Sequence, residues 1–198
     1  MSTLLVLRSS INGAQSVSNQ MLDELIAQTR TKWPDTKIVE RDLAANPVPM
    51  LTPETVAAIR AGVTDTAAQA EADRLANELI EELKAADYIA IGLPRYNFQV
   101  PSQFKAYVDY IARPRITFRY GASGPEGLLP NVPVYAFVAS GGVYTTAEND
   151  PMSAWVLQAL GFLGLHQVEL IHTEGVAMDA TAAMNQTRER IRALVQDC

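Results

Sequence analysis

Short apolar runs alternate with longer amphipathic segments along the chain, and this alternation limits the possible folds more than any other feature of the sequence. Strands are predicted at residues 4–7, 37–43, 88–93, 133–140 and 167–172. A helical pattern follows each run, and after the second run an irregular, proline-rich stretch at residues 44–53 precedes the long helix predicted at residues 65–86. Strands that alternate with helices form a parallel sheet with helices on both faces. The length of 198 residues predicts a single domain, residues 1–198, with one sizeable core.

Five parallel strands separated by helices fit the flavodoxin-like strand order 2-1-3-4-5. In such sheets, ligands bind beyond the carboxyl ends of the strands. The loops that leave strands one, three and four are residues 9–18, 95–98 and 140–142. We therefore expect these three loops to meet at one site.

The loop after the third strand contains bulky and polar side chains. Pro94 ends the strand because it cannot donate a hydrogen bond to the sheet. Arg95, Tyr96, Asn97 and Phe98 follow, and two aromatic rings beside an amide suit a flat ligand. A well-packed connection with no ligand is the alternative for this loop taken alone.

The other two loops suggest a phosphate and a close approach of the backbone. Residues 9–18 are rich in hydroxyl groups, contain no lysine and precede a helix, whose N-terminal N–H groups can hold a phosphate. Serine is also simply a good N-cap residue. Ser140, Gly141 and Gly142 end the fourth strand and allow either close contact with a ligand or a tight turn. A phosphate on a planar ring system matches flavin mononucleotide, FMN.

Residues 115–129 are predicted to form a hairpin or a projecting loop. Three glycines and a proline follow a short β-rich stretch in which Phe118 and Tyr120 would share one face. This excursion would serve as a lid or as a contact between subunits.

Composition narrows the class of protein. A net charge of −6 and the lack of a basic run argue against nucleic-acid binding. No apolar stretch approaches the ~20 residues of a membrane-spanning helix, and the N-terminus does not resemble a signal peptide. The single cysteine, Cys198, is expected to be frayed, exposed and without a redox role. His166 and His172 would share a strand face without further ligands, so no metal site is predicted. A cytoplasmic location is expected.

The sequence resembles the FMN-dependent NADH:quinone oxidoreductases known as azoreductases over nearly its whole length. The most specific motifs are Tyr-Asn-Phe at residues 96–98 and Thr-Phe-Arg-Tyr followed by Gly-Pro-Glu-Gly in residues 117–127. Supporting motifs are Ser-Val-Ser-Asn at 16–19, Arg-Asp-Leu-Ala-Ala-Asn-Pro at 41–47, Gly-Gly at 141–142 and Leu-Gly-Phe at 160–162.

The resemblance implies a homodimer with one FMN per subunit. Phosphate contacts would come from Ser10, Ser16, Val17 and Ser18. The ring system would contact Arg95, Tyr96, Asn97, Phe98, Ala139, Ser140, Gly141 and Gly142. Phe118, Tyr120 and Phe162 would line the substrate pocket, some of them supplied by the partner subunit.

Two positions depart from the family pattern. Arg95 stands where the family usually has methionine, and Ala139-Ser140 stands where a Ser-Arg pair often precedes the two glycines. One interpretation is that the positive charge has moved from the loop before the two glycines to the loop that contains Arg95. There it would favour the anionic reduced flavin. Replacing Arg95 with methionine would then lower the flavin potential. The other interpretation is that Arg95 points to solvent.

The implied activity is a two-electron reduction of quinones and azo compounds in a ping-pong cycle, with NADH or NADPH as the donor. The flavin supplies the chemistry, so no catalytic acid–base pair is predicted. Two alternatives belong to other classes. A flavodoxin-type one-electron carrier would need no nicotinamide slot, and a flavin-free sensor or scaffold would not bind FMN.

Overall fold

A computed structural model describes residues 2–144 and 150–197 of the chain. Five strands form a parallel sheet: β1 (Thr3–Arg8), β2 (Lys37–Asp42), β3 (Tyr88–Pro94), β6 (Val134–Ala139) and β7 (Val168–Thr173). Their order in space is β2-β1-β3-β6-β7. The predicted flavodoxin-like α/β fold is confirmed. The strand numbers differ from the expected 2-1-3-4-5 because two further strands, β4 (Phe118–Gly121) and β5 (Gly124–Gly127), lie between β3 and β6 in the chain.

The described ranges contain six α-helices, five between strands and one after the last strand: α1 (Val17–Lys32), α2 (Thr55–Ala61), α3 (Ala67–Lys84), α4 (Ser102–Ile111), α5 (Pro151–Phe162) and α6 (Val176–Asp197). Ser16 caps α1, and Thr66 caps α3 in a reciprocal capping box with Gln69. Asp150 caps α5, whose first residue is a proline. Helix α2 was not predicted from the sequence. Within α6, Asp179 is non-helical and its carboxylate accepts a hydrogen bond from the Ala182 N–H at 2.9 Å, so Asp179 caps the longer part of this helix.

The core has two halves, one on each face of the sheet. Leu5 and Leu7 of β1 face α3, α4 and α5, whereas Leu4 and Val6 face α1 and α6. All four side chains are buried, which explains why β1 reads as a continuous apolar run.

The hairpin β4–β5 confirms that residues 115–129 contain a projecting β element. It packs against the end of α5, since Leu129 donates to the carbonyl of Leu163 at 3.0 Å. A helix that connects two parallel strands runs antiparallel to them. The end of α5 and the hairpin therefore lie at the amino-terminal edge of the sheet, opposite the edge where ligands bind.

Two smaller expectations have different outcomes. His166 precedes β7 rather than sharing a strand with His172. Cys198 lies outside the described residues. No helix within residues 2–144 and 150–197 has the length and apolar character needed to cross a bilayer.

Candidate cofactor site

One cleft of about 330 Å³ opens at the carboxyl edge of the sheet, within the size range of small-molecule sites. The three loops predicted to meet there do meet. The predicted residues that line the cleft are Ser10, Ser16, Val17, Arg95, Tyr96, Ala139, Ser140 and Gly141. The lining residues that the prediction did not include are Asn12, Gln15, Pro94, Val176 and Ala177.

The N-terminus of α1 forms one end of the cleft. The Ser16 side chain accepts a hydrogen bond from the Asn19 N–H at 3.3 Å and lies 3.0 Å from the Ser18 hydroxyl. The earlier N–H groups, those of Val17 and Ser18, have no acceptor within the helix. They are available to an anion, which the helix dipole also favours. Ser18 does not line the cleft, because its side chain is buried behind Ser16.

Asn19 fixes the loop before α1 from the inside. Its side-chain amide donates to the Gly13 carbonyl at 3.0 Å, and its own carbonyl accepts from Arg8 at 3.3 Å. The guanidinium of Arg8 also pairs with Asp23 and Glu40. The charge of Arg8 is therefore compensated by these carboxylates, and an anion in the cleft would be bound by backbone N–H groups and hydroxyls.

Tyr96 connects this loop to the loop after β3. Its hydroxyl lies 3.0 Å from Ser10 Oγ and accepts a hydrogen bond from the Ile11 N–H at 3.3 Å. Beneath it, the Ser9 hydroxyl donates to the Gly92 carbonyl at 2.5 Å. Two loops that are more than 80 residues apart in the chain thus form a single wall.

A strained turn follows Tyr96. Tyr96 and Gln99 exchange backbone hydrogen bonds of 2.9 and 3.0 Å around Asn97 and Phe98. Both central residues have positive φ, 47° and 71°, a turn that favours Asn-Gly. A phenylalanine in the left-handed region carries a strain of about 1–3 kcal/mol. Phe98 is 64% exposed, and neither Asn97 nor Phe98 lines the cleft within one chain.

Arg95 does not point to solvent, so that interpretation is wrong. Its side chain is 2% exposed and forms a bidentate ion pair with Asp150, with both nitrogen–oxygen distances at 2.7 Å. The hydrogen bonds from Arg95 hold the pKa of the Asp150 carboxyl well below its usual range, and those from Ser153 add to this effect. The guanidinium carbon also lies 4.1 Å from the centre of the Tyr144 ring.

The third wall combines the end of β6 with the start of α6. Val176 and Ala177 donate backbone hydrogen bonds to the carbonyls of Ser140 and Gly141 at 3.1 and 3.2 Å. No local sequence signal marks these two small apolar residues, because they enter the site through a strand pairing that only the sheet order reveals. Gly142 does not line the cleft, but its carbonyl accepts from the Ser140 hydroxyl at 2.9 Å.

Phe118, Tyr120 and Phe162 form a separate aromatic cluster. The Phe118 ring centre lies 4.4 Å from that of Phe162 and 5.8 Å from that of Tyr120. The cluster belongs to the hairpin and the end of α5, at the opposite edge of the sheet from the cleft. These residues therefore do not border the cleft of their own chain, and their role in a substrate pocket stays a prediction for an assembled protein.

The residues of the cleft fit FMN. The free N–H groups and hydroxyls at the N-terminus of α1 suit a phosphate, and the opposite wall offers glycine backbone to a flat ring. A methyl group added at Gly141 would meet its first neighbour, Ala177, at 3.5 Å, so this wall is open towards the cleft.

No metal-binding group of three or more His, Cys, Asp or Glu side chains occurs in the described parts of the chain.

Comparisons with known proteins agree with this assignment. A family model described as a flavodoxin-like fold matches residues 2–195. The FMN-dependent NADH:quinone oxidoreductase of Photorhabdus laumondii is 42% identical over 197 residues, which cover 99% of this chain and 98% of that protein. The protein of the same name from Escherichia coli O157:H7 is 40% identical over 199 residues, covering 98% and 99%. This chain belongs to the FMN-dependent NADH:quinone oxidoreductase family.

Solved structures give the same result for the fold. The crystal structure of azoreductase from Bacillus anthracis str. Sterne superimposes with a TM-score of 0.88 at 25% identity, covering 100% of both chains. An FMN-dependent NADH-azoreductase from Bacillus anthracis str. Ames Ancestor, solved in complex with FMN, gives 0.89 at 23% identity and covers 100% of this chain and 99% of that one. The strands and helices of this chain are thus arranged as in these two solved structures.

Proposed function

We propose that this chain is an FMN-dependent NAD(P)H:quinone oxidoreductase that also reduces azo compounds, located in the cytoplasm. The observation that carries the proposal is the meeting of three loops in one cleft, with a helix N-terminus at one end and a glycine turn at the other. The full-length similarity to enzymes named for this activity supports it.

The residues of the chain bind and orient the cofactor. Ser10, Ser16 and the first N–H groups of α1 would hold the phosphate. Tyr96 would keep the phosphate loop and the ring loop at a fixed separation through its hydrogen bonds to Ser10 and Ile11. Ser140 stiffens the glycine turn by donating to the Gly142 carbonyl, so that the ring meets an ordered backbone.

The chemistry that bound FMN supplies is the transfer of two electrons from NADH or NADPH to a quinone or an azo compound. We propose a ping-pong order, in which the nicotinamide leaves before the acceptor enters the same slot. Among the described residues that line the cleft there is no acid–base pair, and Arg95, the charged residue among them, is already paired with Asp150.

We also propose that the active form is a homodimer. Exposed apolar side chains on loops and at the start of α6 support this: Ile11, Met50, Phe98, Val143 and Met178. Tyr120 is 77% exposed at the far edge. A partner whose amino-terminal sheet edge lies against this carboxyl edge would bring its own Phe118–Tyr120–Phe162 cluster to the cleft.

The test is the initial rate of NADH oxidation by a benzoquinone, measured at several fixed quinone concentrations with FMN-loaded protein. Parallel double-reciprocal lines are expected, and intersecting lines would reject the ping-pong order. Flavin-coloured protein that reduces quinone only with a one-electron donor would favour the electron carrier. Colourless protein that binds no FMN would favour the sensor or scaffold.

A matched pair of serine variants locates the activity in the cleft. Ser10→Ala removes a hydroxyl from the proposed phosphate site, and FMN should bind about tenfold more weakly, because a hydrogen bond to a charged group is lost. Ser102→Ala removes an exposed hydroxyl at the start of α4 and should leave FMN affinity unchanged. Equal affinities in the two variants would contradict the proposed phosphate site.

A further inference from the structure

The side chain of Arg95 is enclosed by protein rather than directed into the cleft. Its two terminal nitrogens donate to the two carboxylate oxygens of Asp150, and the Tyr144 ring covers the guanidinium. The side chains of Arg95 and Asp150 are 2% and 13% exposed. An arginine this enclosed meets a ligand in the cleft through its backbone, while its side chain acts on the protein.

The ion pair joins three segments that surround the cleft. The Arg95 N–H donates to the Ala139 carbonyl at 2.8 Å, which ties the end of β3 to the end of β6. Asp150 caps α5 by accepting from the N–H groups of Met152 and Ser153 and from the Ser153 hydroxyl. The loop that would carry the flavin ring is thereby fixed to the start of α5.

We propose that Arg95 and Asp150 act together as a positioning pair, which holds the ring-binding loop in place before FMN binds and presents no net charge to the flavin. This inference rests on the proposed FMN site. It replaces the interpretation of Arg95 as a free cation beside the ring, because the carboxylate of Asp150 compensates the charge at a distance of 2.7 Å.

Three variants separate the charge of the pair from its positioning role. Arg95→Met keeps most of the side-chain length and leaves an unpaired carboxylate. Asp150→Asn keeps an N-cap residue of equal quality and leaves an unpaired guanidinium, which is costly to bury. The double variant carries neither charge. Arg113→Met is the matched control, because Arg113 is a similarly buried arginine paired with Asp73 at 2.7 Å, on the loop that follows α4.

The midpoint potential of bound FMN reports the charge. Because a nearby positive charge favours the anionic reduced flavin, the potential should fall in Arg95→Met and rise in Asp150→Asn. In the double variant it should return to the wild-type value. A free cation would instead leave the double variant at the potential of Arg95→Met, which would overturn the proposal.

The affinity of the apoprotein for FMN reports the positioning. The dissociation constant should rise about tenfold in both single variants and in the double variant, since each breaks the connection, and should stay at the wild-type value in Arg113→Met. Thermal unfolding of each apoprotein identifies variants that fold, and if Asp150→Asn does not fold, Arg95→Met and the double variant still carry the test. If all folded variants keep the wild-type FMN affinity and midpoint potential, this inference is wrong but the proposed function stands. If the wild-type protein itself does not bind FMN, both the proposed function and this inference are wrong.

Discussion

The Tyr96 hydroxyl lies 3.0 Å from Ser10 Oγ and joins the two loops that would grip opposite ends of the cofactor. Tyr96→Phe removes this contact and the hydrogen bond from the Ile11 N–H while keeping the ring. The loss of about 0.5–1.5 kcal/mol per hydrogen bond predicts a several-fold weaker affinity for FMN. Fluorescence titration of the apoprotein measures it. Tyr88→Phe, at the other end of β3, is the control and should bind FMN as the wild type does.

Strain at Phe98 predicts that replacing this residue with glycine raises the free energy of unfolding. Phe98→Gly should stabilise the apoprotein by about 1 kcal/mol, because glycine adopts a positive φ without strain. Asn97→Gly should change the free energy of unfolding much less, since asparagine tolerates the left-handed region. Urea unfolding of both variants checks this. Loss of stability in Phe98→Gly would mean that contacts of the ring, such as its edge contact with Tyr144, outweigh the strain.

Replacing a glycine with alanine should affect stability at Gly127 but FMN affinity at Gly141. A methyl group at Gly127 would lie 2.0 Å from the backbone nitrogen of Gly164, so Gly127→Ala should lower the free energy of unfolding by about 3 kcal/mol. Gly141→Ala meets only an ordinary contact with Ala177 and should change stability by less than about 0.5 kcal/mol. Its methyl group borders the cleft, so FMN should bind more weakly. Unchanged FMN affinity in Gly141→Ala would show that Gly141 does not form the wall of the FMN site.

The Arg95–Asp150 pair predicts a loss of stability in acid. Hydrogen bonds from Arg95 favour the charged carboxylate of Asp150 and lower its pKa below the ordinary value of 3.8. The ion pair therefore contributes fully to the free energy of unfolding above about pH 5, and its contribution decreases as the pH falls towards the lowered pKa of Asp150. The difference in urea midpoint between the wild-type apoprotein and Asp150→Asn should shrink between pH 6 and pH 3. A difference that is independent of pH would show that the carboxylate charge contributes nothing to stability.

The strands and the three loops could be predicted from sequence because their signals are local. Continuous apolar runs such as residues 88–93 mark strands that are buried on both faces, and the strand order then brings the loops together. Helix α2 was missed because it has only seven residues and follows a proline-rich stretch, so that Ala58 and Ile59 show no helical repeat.

The parts of the site that sequence could not reveal depend on distant partners. Nothing near Arg95 indicates that its charge is compensated, because Asp150 lies 55 residues further along the chain. Asp150 carries the local signal of an N-cap before Pro151, but that signal concerns α5 and not the cleft. Val176 and Ala177 likewise reach the site only through the pairing of β7 with β6.

Titration of the apoprotein with FMN and with riboflavin, which lacks the phosphate, tests the central claim most directly. The cleft predicts one FMN per chain, bound at least about a hundredfold more tightly than riboflavin, because hydroxyls and helix N–H groups would bind a charged phosphate at about 1.5–3 kcal/mol per hydrogen bond. Equal affinity for the two flavins, or no affinity for either, would contradict the account.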